Sequence, residues 1–304
     1  HAPRSMKWMS ILMLIVTIIW AANAVAGKFA LRGFPPLALA QLRVGGATLG
    51  FLAVYIGLRG WPKFGFTHRD WLFMAIAGFN GVTLNQVFYL TGLERTSVAH
   101  TALIVSLGPV MVLVLAYFMR MEALTPGKTL GMVIAFGGTA ALAFGAPSTA
   151  VKAGLAGDAL LLIGRLAFSY YTILVKQGAS RYDALTLNTA TFALGSLMML
   201  PLSAPSLWKT HWRAVPLEAW EGLIFMVVFA SVVAYLLFAY VLTAMTASQA
   251  SAYIYLAPVI AIALSVWLLG ETMTWQIGVA GAMILFGLFL TGQGKAEPEA
   301  GAVE

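Results

Sequence analysis

TSVAHTALIVSLGPVMVLVLAYFMRMEALT, from Thr96 to Thr125, comes back as MTASQASAYIYLAPVIAIALSVWLLGETMT, from Met245 to Thr274. A constant offset of 149 superposes Pro109 on Pro258, Val110 on Val259, Glu122 on Glu271, Thr125 on Thr274 and Gly138 on Gly287. At an offset of 148, Lys28 also falls on Lys176. Chance similarity among apolar residues produces one or two such matches, not a set in register. The chain therefore reads as one unit written twice.

Working outward, ten apolar runs lie near 8–29, 36–58, 71–92, 97–119, 124–145, 155–176, 184–203, 219–242, 247–268 and 273–292. A helix rises 1.5 Å per residue, so roughly 20 residues cross a hydrocarbon core of about 30 Å. Lipid offers no partner to backbone N–H and C=O groups, and the alternating pattern of a barrel is missing, so these runs are helices. Breakers stand between them: Gly33-Phe34-Pro35-Pro36, Thr125-Pro126-Gly127, Ala146-Pro147-Ser148 and Pro201 to Pro205. The expected fold is an all-α integral membrane protein. Ten transmembrane helices form two five-helix repeats over 6–146 and 154–292, with a disordered tail over 293–304. Five is odd, so the second copy enters the membrane from the opposite side. Inverted repeats give two near-equivalent shapes, each open to one face, with the solute site near the midplane. A scaffold or receptor has no need of that.

The composition agrees. Of 304 residues, 61% are hydrophobic and 10% charged, where a soluble domain carries about 25% charged residues. The net charge of +7 reads as membrane orientation and not as nucleic-acid binding, because the basic residues sit in short loops between apolar runs. Without cysteine there are no disulfides, thiolate metal sites or cysteine nucleophiles. His1 to Ser5 read as a cloning remnant, with Met6 as the native start. Arg4, Lys7 and Ala22-Asn23-Ala24 imitate a signal peptide, but the apolar run is long enough to be a retained first span.

Lys and Arg concentrate on the cytoplasmic side. With the N-terminus inside, Arg4, Lys7, Arg59, Lys63, Arg69, Arg120, Lys128, Lys176, Arg181 and Lys295 fall inside, and Arg32, Arg95, Lys152, Lys209 and Arg213 outside. Ten against five supports both termini in the cytoplasm. The loop 204–218 is the weak point.

Polar residues in the spans are the candidates for solute contact. The third span carries Gly78, Gly81, Asn85, Tyr89 and Gly92 at helical spacing. It is either a glycine-lined cavity face with an amide and a phenol or a tight seam. In the first span Trp20, Asn23 and Gly27 form a similar stripe, with Trp20 either packed or offered for stacking. The ninth span brings Gln249, Tyr253 and Ser248, and Gln249 sits opposite His100 under the offset, although both are near helix starts and solvation is the alternative. Tyr235 with Ser231, and Tyr171 with Ser169 and Tyr170, complete the set. Arg43 and Arg165 are the two deep cations. Each is open to a substrate carboxylate, or else to snorkelling or a backbone carbonyl. Arg165, Ser169, Thr172 and Lys176 read as a polar stripe. Pro109 and Pro258 read as kinks shared by gating helices.

All eleven acids fall near span ends, in loops or in the tail. Ion-coupled carriers usually hold a carboxylate in mid-membrane, so a facilitator is the simpler reading, with His100 as the remaining coupling candidate. Glu122 and Glu271 are expected to cap helices or pair with a base. An enzyme has little to stand on: there is no HExxH, no GxSxG and no buried acid pair. Gly127-Lys128-Thr129 resembles the end of a phosphate loop, but Glu122 occupies the position of its first glycine. No cofactor or metal is expected. The expected partners are a small-molecule substrate and the bilayer, with no nucleic acid and a monomer as the working state. A proton-coupled multidrug exporter and a non-transporting scaffold are the rival readings.

Trp20-Ala-Ala-Asn23 with Lys28, Pro36 followed by Arg43, Asn85-x-x-Phe88-Tyr89, Ser97-x-Ala99 leading to Pro109-Val110 and Glu122, and Ala252 to Pro258-Val259 and Glu271 carry a family resemblance. Over about residues 8–292 the chain resembles the ten-helix EamA type of the drug/metabolite transporter superfamily. Within it the chain looks most like the YddG-type exporters of aromatic and other neutral amino acids. The resemblance implies inner-membrane efflux of amino acids or related small metabolites.

Overall fold

The structure, a computed structural model, describes residues 6–96, 101, 104–145, 155–257, 259–260 and 275–293. Every regular element among them is helical. In order they are α1 (Met6–Ala30), α2 (Pro36–Arg59), α3 (His68–Gly78), α4 (Asn85–Arg95), α5 (Gly108–Phe118), α6 (Pro126–Gly145) and α7 (Leu155–Gly178). Then follow α8 (Ala184–Lys209), α9 (Leu217–Val227), α10 (Ala234–Val241), α11 (Ala247–Ala252) and α12 (Trp275–Gln293). Wider π-helical segments, Phe79–Leu84 and Val228–Val233, join α3 to α4 and α9 to α10. Five helical runs among the described residues are long and apolar enough to span a bilayer: α1, α2, α7, α8 and Leu217–Val241.

Local chemistry explains the boundaries. Pro36 opens α2, where its missing N–H costs nothing, and Gly60 closes it at φ 76°. Thr67 and Asp70 form a reciprocal cap on α3. Asp183 accepts from the backbone N–H groups of Leu185 and Thr186 at the start of α8. The expectation of a break at Pro201 to Pro205 is corrected, because α8 runs through both prolines to Lys209. Between the two prolines the Ser203 hydroxyl lies 3.0 Å from Gln41 Oε1 of α2, so α8 is tied to its neighbour where it carries proline; membrane helices tolerate proline where neighbouring helices support them.

The surface is that of a membrane protein. On α1, Met9, Leu12, Met13 and Val16 are buried while Ile11, Leu14, Ile15 and Ile18 face outward. Such exposed apolar faces demand a non-aqueous surrounding. Trp8, Trp61, Trp71, Trp208, Trp212 and Trp275 are exposed at or beside helix ends, the depth where indole prefers the bilayer interface.

The packing pairs α2 with α8, α4 with α7, α1 with α9 and α10, and α6 with α12. The last pair needs glycine. A Cβ on Gly131 would lie 2.5 Å from the Gly287 carbonyl oxygen, and one on Gly287 would lie 2.4 Å from that of Gly131. Small residues let the backbones touch where no hydrophobic force drives association. The two π-helical segments stand 149 residues apart. The Lys28 ammonium donates to the Leu93 carbonyl at 2.5 Å, and Lys176 donates to that of Leu242 at 2.9 Å. Glu122, as expected, caps and pairs. It accepts from the Ser248 backbone N–H at 3.0 Å and from the Ser248 hydroxyl, at the start of α11, and meets Lys128 at 2.9 Å. Glu271 and the tail from 294 lie outside the described residues.

Candidate functional site

A cavity of about 240 Å³ opens between α1, α2, α4, α7 and α10. Its walls are mostly apolar, with Trp20, Phe168, Leu161 and Ile254 among them. The polar groups are Asn23 from α1, Arg43 from α2, Asn85, Gln86 and Tyr89 from α4, Arg165 from α7 and Tyr235 from α10, with Thr17 and Thr101. An apolar pocket with a few convergent polar groups is the form of a small-molecule site, here somewhat below the usual range of roughly 300–1,000 Å³.

The π-helical segments shape it. The wider turn at Val228–Val233 lets the Ala230 carbonyl accept both Trp20 Nε1 at 3.2 Å and Arg43 Nη2 at 3.4 Å. Ser231 donates its hydroxyl five residues back to the Met226 carbonyl and accepts from Arg43 Nε at 2.9 Å. Such segments concentrate at functional positions because they re-aim side chains and carbonyls. Arg43 is thus buried and bonded across the bundle, and the snorkelling alternative is excluded. Trp20 packs edge-on against Phe168 and Tyr235, with centroids 5.6 and 5.9 Å away. Packing and cavity-lining are both true of it.

The amides are oriented by phenols. Asn23 Nδ2 donates to the Tyr89 hydroxyl and Gln86 Nε2 to the Tyr235 hydroxyl, both at 3.4 Å. Gln86 and Tyr235 are 149 residues apart, so positions equivalent under the sequence offset meet each other at the cavity. Asn85 turns its amide to the Gly81 carbonyl at 3.3 Å.

Trp20, Asn23, Asn85, Tyr89, Arg165 and Tyr235 therefore come together at one cavity. Other candidates stand apart. Tyr171 is buried beside it, and its hydroxyl donates to Asn188 Oδ1 at 3.3 Å. Gln249 closes a capping box with Thr246 at the start of α11. The Tyr253 hydroxyl donates to Ser10 Oγ at 2.7 Å. His100 and Pro258 lie outside the described residues. Pro109 sits in the first turn of α5, just after the helix breaks at Ser106–Leu107. The proposed polar stripe on α7 is corrected as well. Ser169 and Thr172 donate back to carbonyls four residues earlier and Lys176 to Leu242, leaving only Arg165 at the cavity. The glycines of the third span form the seam: Gly78 faces Thr191 of α8, and Gly81 and Gly92 face Tyr171 and Leu161 of α7. Gln86 and Phe168 escaped notice in the sequence. Gln86 had a signal, since the offset of 149 pairs it with Tyr235.

Outside the membrane, the α7–α8 connection holds a charged cluster. Burial would raise the Asp183 carboxyl, but the Arg59 hydrogen bond at 2.8 Å and donations from Thr186 outweigh it and hold it at about 2. Burial and the hydrogen bond to Asp70 push the Tyr182 phenol up to about 12.

Comparison with known proteins places this geometry. A solved crystal structure superposes with a TM-score of 0.72 over 94% of this chain and 96% of its own, at 18% identity, a likeness of fold alone. An uncharacterized transporter of Archaeoglobus fulgidus is 28% identical over 93% of this chain and 98% of its own length. A probable terminal-alkyne amino-acid exporter of Streptantibioticus cattleyicolor is 23% identical over 90% of this chain and 91% of its own length. One family model matches twice, over residues 7–144 and again over 155–293. A helical membrane bundle whose two halves each match that model, around a solute-sized cavity, belongs to the EamA-like transporter family of the drug/metabolite transporter superfamily.

Proposed function

We propose that this chain exports amino acids or related small metabolites across a bacterial inner membrane by alternating access, without obligatory ion coupling. The observation that carries the reading is the cavity walled by both halves, with Gln86 and Tyr235, equivalent under the offset, bonded across it. In this reading the halves, 6–146 and 154–292, are five-helix repeats inverted in the membrane, ten spans in all, with both termini cytoplasmic. Support comes from the contacts that recur under the offset, the π-helical segments and the paired Lys28 and Lys176 bonds. Alternate rocking of two such halves exposes a central site to each side in turn.

An amino-acid substrate is supported by the exporter among the relatives and by the cavity's aromatic wall. Trp20 and Phe168 suit an apolar side chain, where an aromatic pair adds roughly 0.5–1.5 kcal/mol beyond burial. YddG-type selectivity for aromatic and neutral amino acids fits these walls. The cavity holds no Asp or Glu among its described lining residues, which supports facilitated flux over proton-coupled multidrug export. The test is purified protein in vesicles loaded with a labelled amino-acid panel. Expected is saturable efflux of aromatic members at the same initial rate with and without a pH gradient. No protein-dependent flux for any member would end the amino-acid reading, and uphill accumulation driven by the gradient alone would end the facilitator.

A further inference from the structure

The ninth apolar run does not stay α-helical. After Ala252, α11 gives way to a 3₁₀ turn at Tyr253–Tyr255. The repeat offset of 149 carries Tyr253 back to Ile104, where the fourth run breaks as well. There the Leu107 N–H donates to the Ile104 carbonyl, three residues back, at 3.1 Å. A 3₁₀ stretch inside a helix often marks a hinge, and both halves carry a break at the same position.

The short arm formed by α11 is tied at both ends. At its start Glu122 accepts from Ser248 and pairs with buried Lys128, and α11 packs on α5. At its far end α1 meets the turn itself, where the Tyr253 hydroxyl donates to Ser10 Oγ at 2.7 Å. These ties differ in strength. Losing one partner of a buried charge pair shifts an equilibrium on the order of a hundredfold or more, whereas a neutral hydrogen bond shifts it roughly twofold to tenfold. The arm therefore stays with α5, and its contact with α1 is the one that breaks and re-forms.

The weaker tie lies beyond one end of the cavity. On α1 the cavity wall runs from Thr17 to Val25, beginning about 10 Å past Ser10 along the helix. Between Ser10 and Thr17, Met13 and Val16 are fully buried, while Val25 at the opposite end of the wall is 51% exposed.

We propose that the Ser10–Tyr253 hydrogen bond is a latch that shuts the cavity at the end of the bundle where α1 and α11 begin, and that α11 turns on the Tyr253–Tyr255 segment when the latch opens. The proposal rests on the alternating-access reading for its role in transport and on accessibility alone for its test.

The chain has no cysteine, so a single introduced thiol reports access of water to its position. Met13→Cys and Val16→Cys place reporters behind the latch, and Thr191→Cys, at a fully buried position of α8, reports general loosening. The measurement is the rate at which a water-soluble maleimide labels the purified full chain. Expected is slow labelling at all three positions while the latch is intact. Tyr253→Phe, which removes one hydroxyl, should speed labelling of Met13→Cys and Val16→Cys roughly twofold to tenfold and leave Thr191→Cys unchanged. Ser10→Ala should do the same, and the double variant no more than either alone, because both remove one bond. Unchanged labelling of Met13→Cys and Val16→Cys, additive effects of the two substitutions, or an equal rise at Thr191→Cys overturns the proposal. Labelling that depends on the latch, in a chain that moves no solute out of vesicles, upholds the latch and overturns the transport reading instead.

Discussion

Glu122 and Lys128 form an ion pair with side chains only 5% and 4% exposed. The pair sits where α6 begins, and Glu122 also accepts two hydrogen bonds from Ser248 at the start of α11. The carboxylate therefore does three things at once: it neutralises Lys128, caps a helix N-terminus and ties residues from the two matched segments together. Removing one partner of a buried pair costs roughly 3–5 kcal/mol, because the other charge stays buried. Lys128→Met leaves the carboxylate its Ser248 bonds, so the low end applies, about 3 kcal/mol. Glu122→Gln strands the ammonium while its amide oxygen can still accept from Ser248, so the low end applies again, about 3 kcal/mol. The double variant strands neither charge. Its cost should be nearer 3 than 6 kcal/mol, a coupling of roughly 3 kcal/mol, at the upper end for residues in contact. Detergent-titrated unfolding followed by circular dichroism, on all four proteins in one lipid–detergent mixture, measures the cycle. Additive costs, or single variants within about 1 kcal/mol of wild type, would refute the claim that a buried charge pair holds this junction.

Three further expectations follow from the same geometry. Because Asp183 is held at about 2 against an ordinary 3.8, its pairing stabilises the fold above the ordinary value and is lost as pH falls through the folded one. The melting-temperature advantage of wild type over Asp183→Asn should thus be constant at neutral pH and shrink between about pH 4 and pH 2. It should be small throughout, because the pair is half exposed. A reporter enzyme active only in the periplasm, fused after Glu304, should give no signal, and a strong signal would reverse the proposed orientation. Trp20→Ala and Tyr89→Ala should weaken transport of aromatic substrates more than of small ones, and Trp20→Ala should also lower the melting temperature, because its ring packs against Phe168 and Tyr235. Equal loss for all substrates would make these residues packing alone.

Much of this protein was legible in its sequence because lipid is a demanding solvent. With 61% hydrophobic residues and backbone groups that lipid cannot satisfy, helices were the solution. Duplication was visible because Pro109, Glu122 and Gly138 recur in register. The placement of acids near helix ends announced that Glu122 would cap and pair. What only the tertiary structure decided is which polar side chains share a cavity. A helix-period reading put Gly78, Gly81, Asn85, Tyr89 and Gly92 on one stripe. The π-helical segment at Phe79–Leu84 adds a residue to the turn and shifts the phase by roughly 100°, so Gly78 meets α8 while Gly92 meets α7. Periodicity likewise could not tell Tyr235, at the cavity, from Tyr171, bonded to Asn188. Nor could it separate Arg43, bonded to the wider turn of Val228–Val233, from Arg165, whose Nε and Nη2 have no partner among the described residues. Those distinctions depend on what a neighbouring helix presents across the gap, and a one-dimensional pattern contains only the residue's own helix.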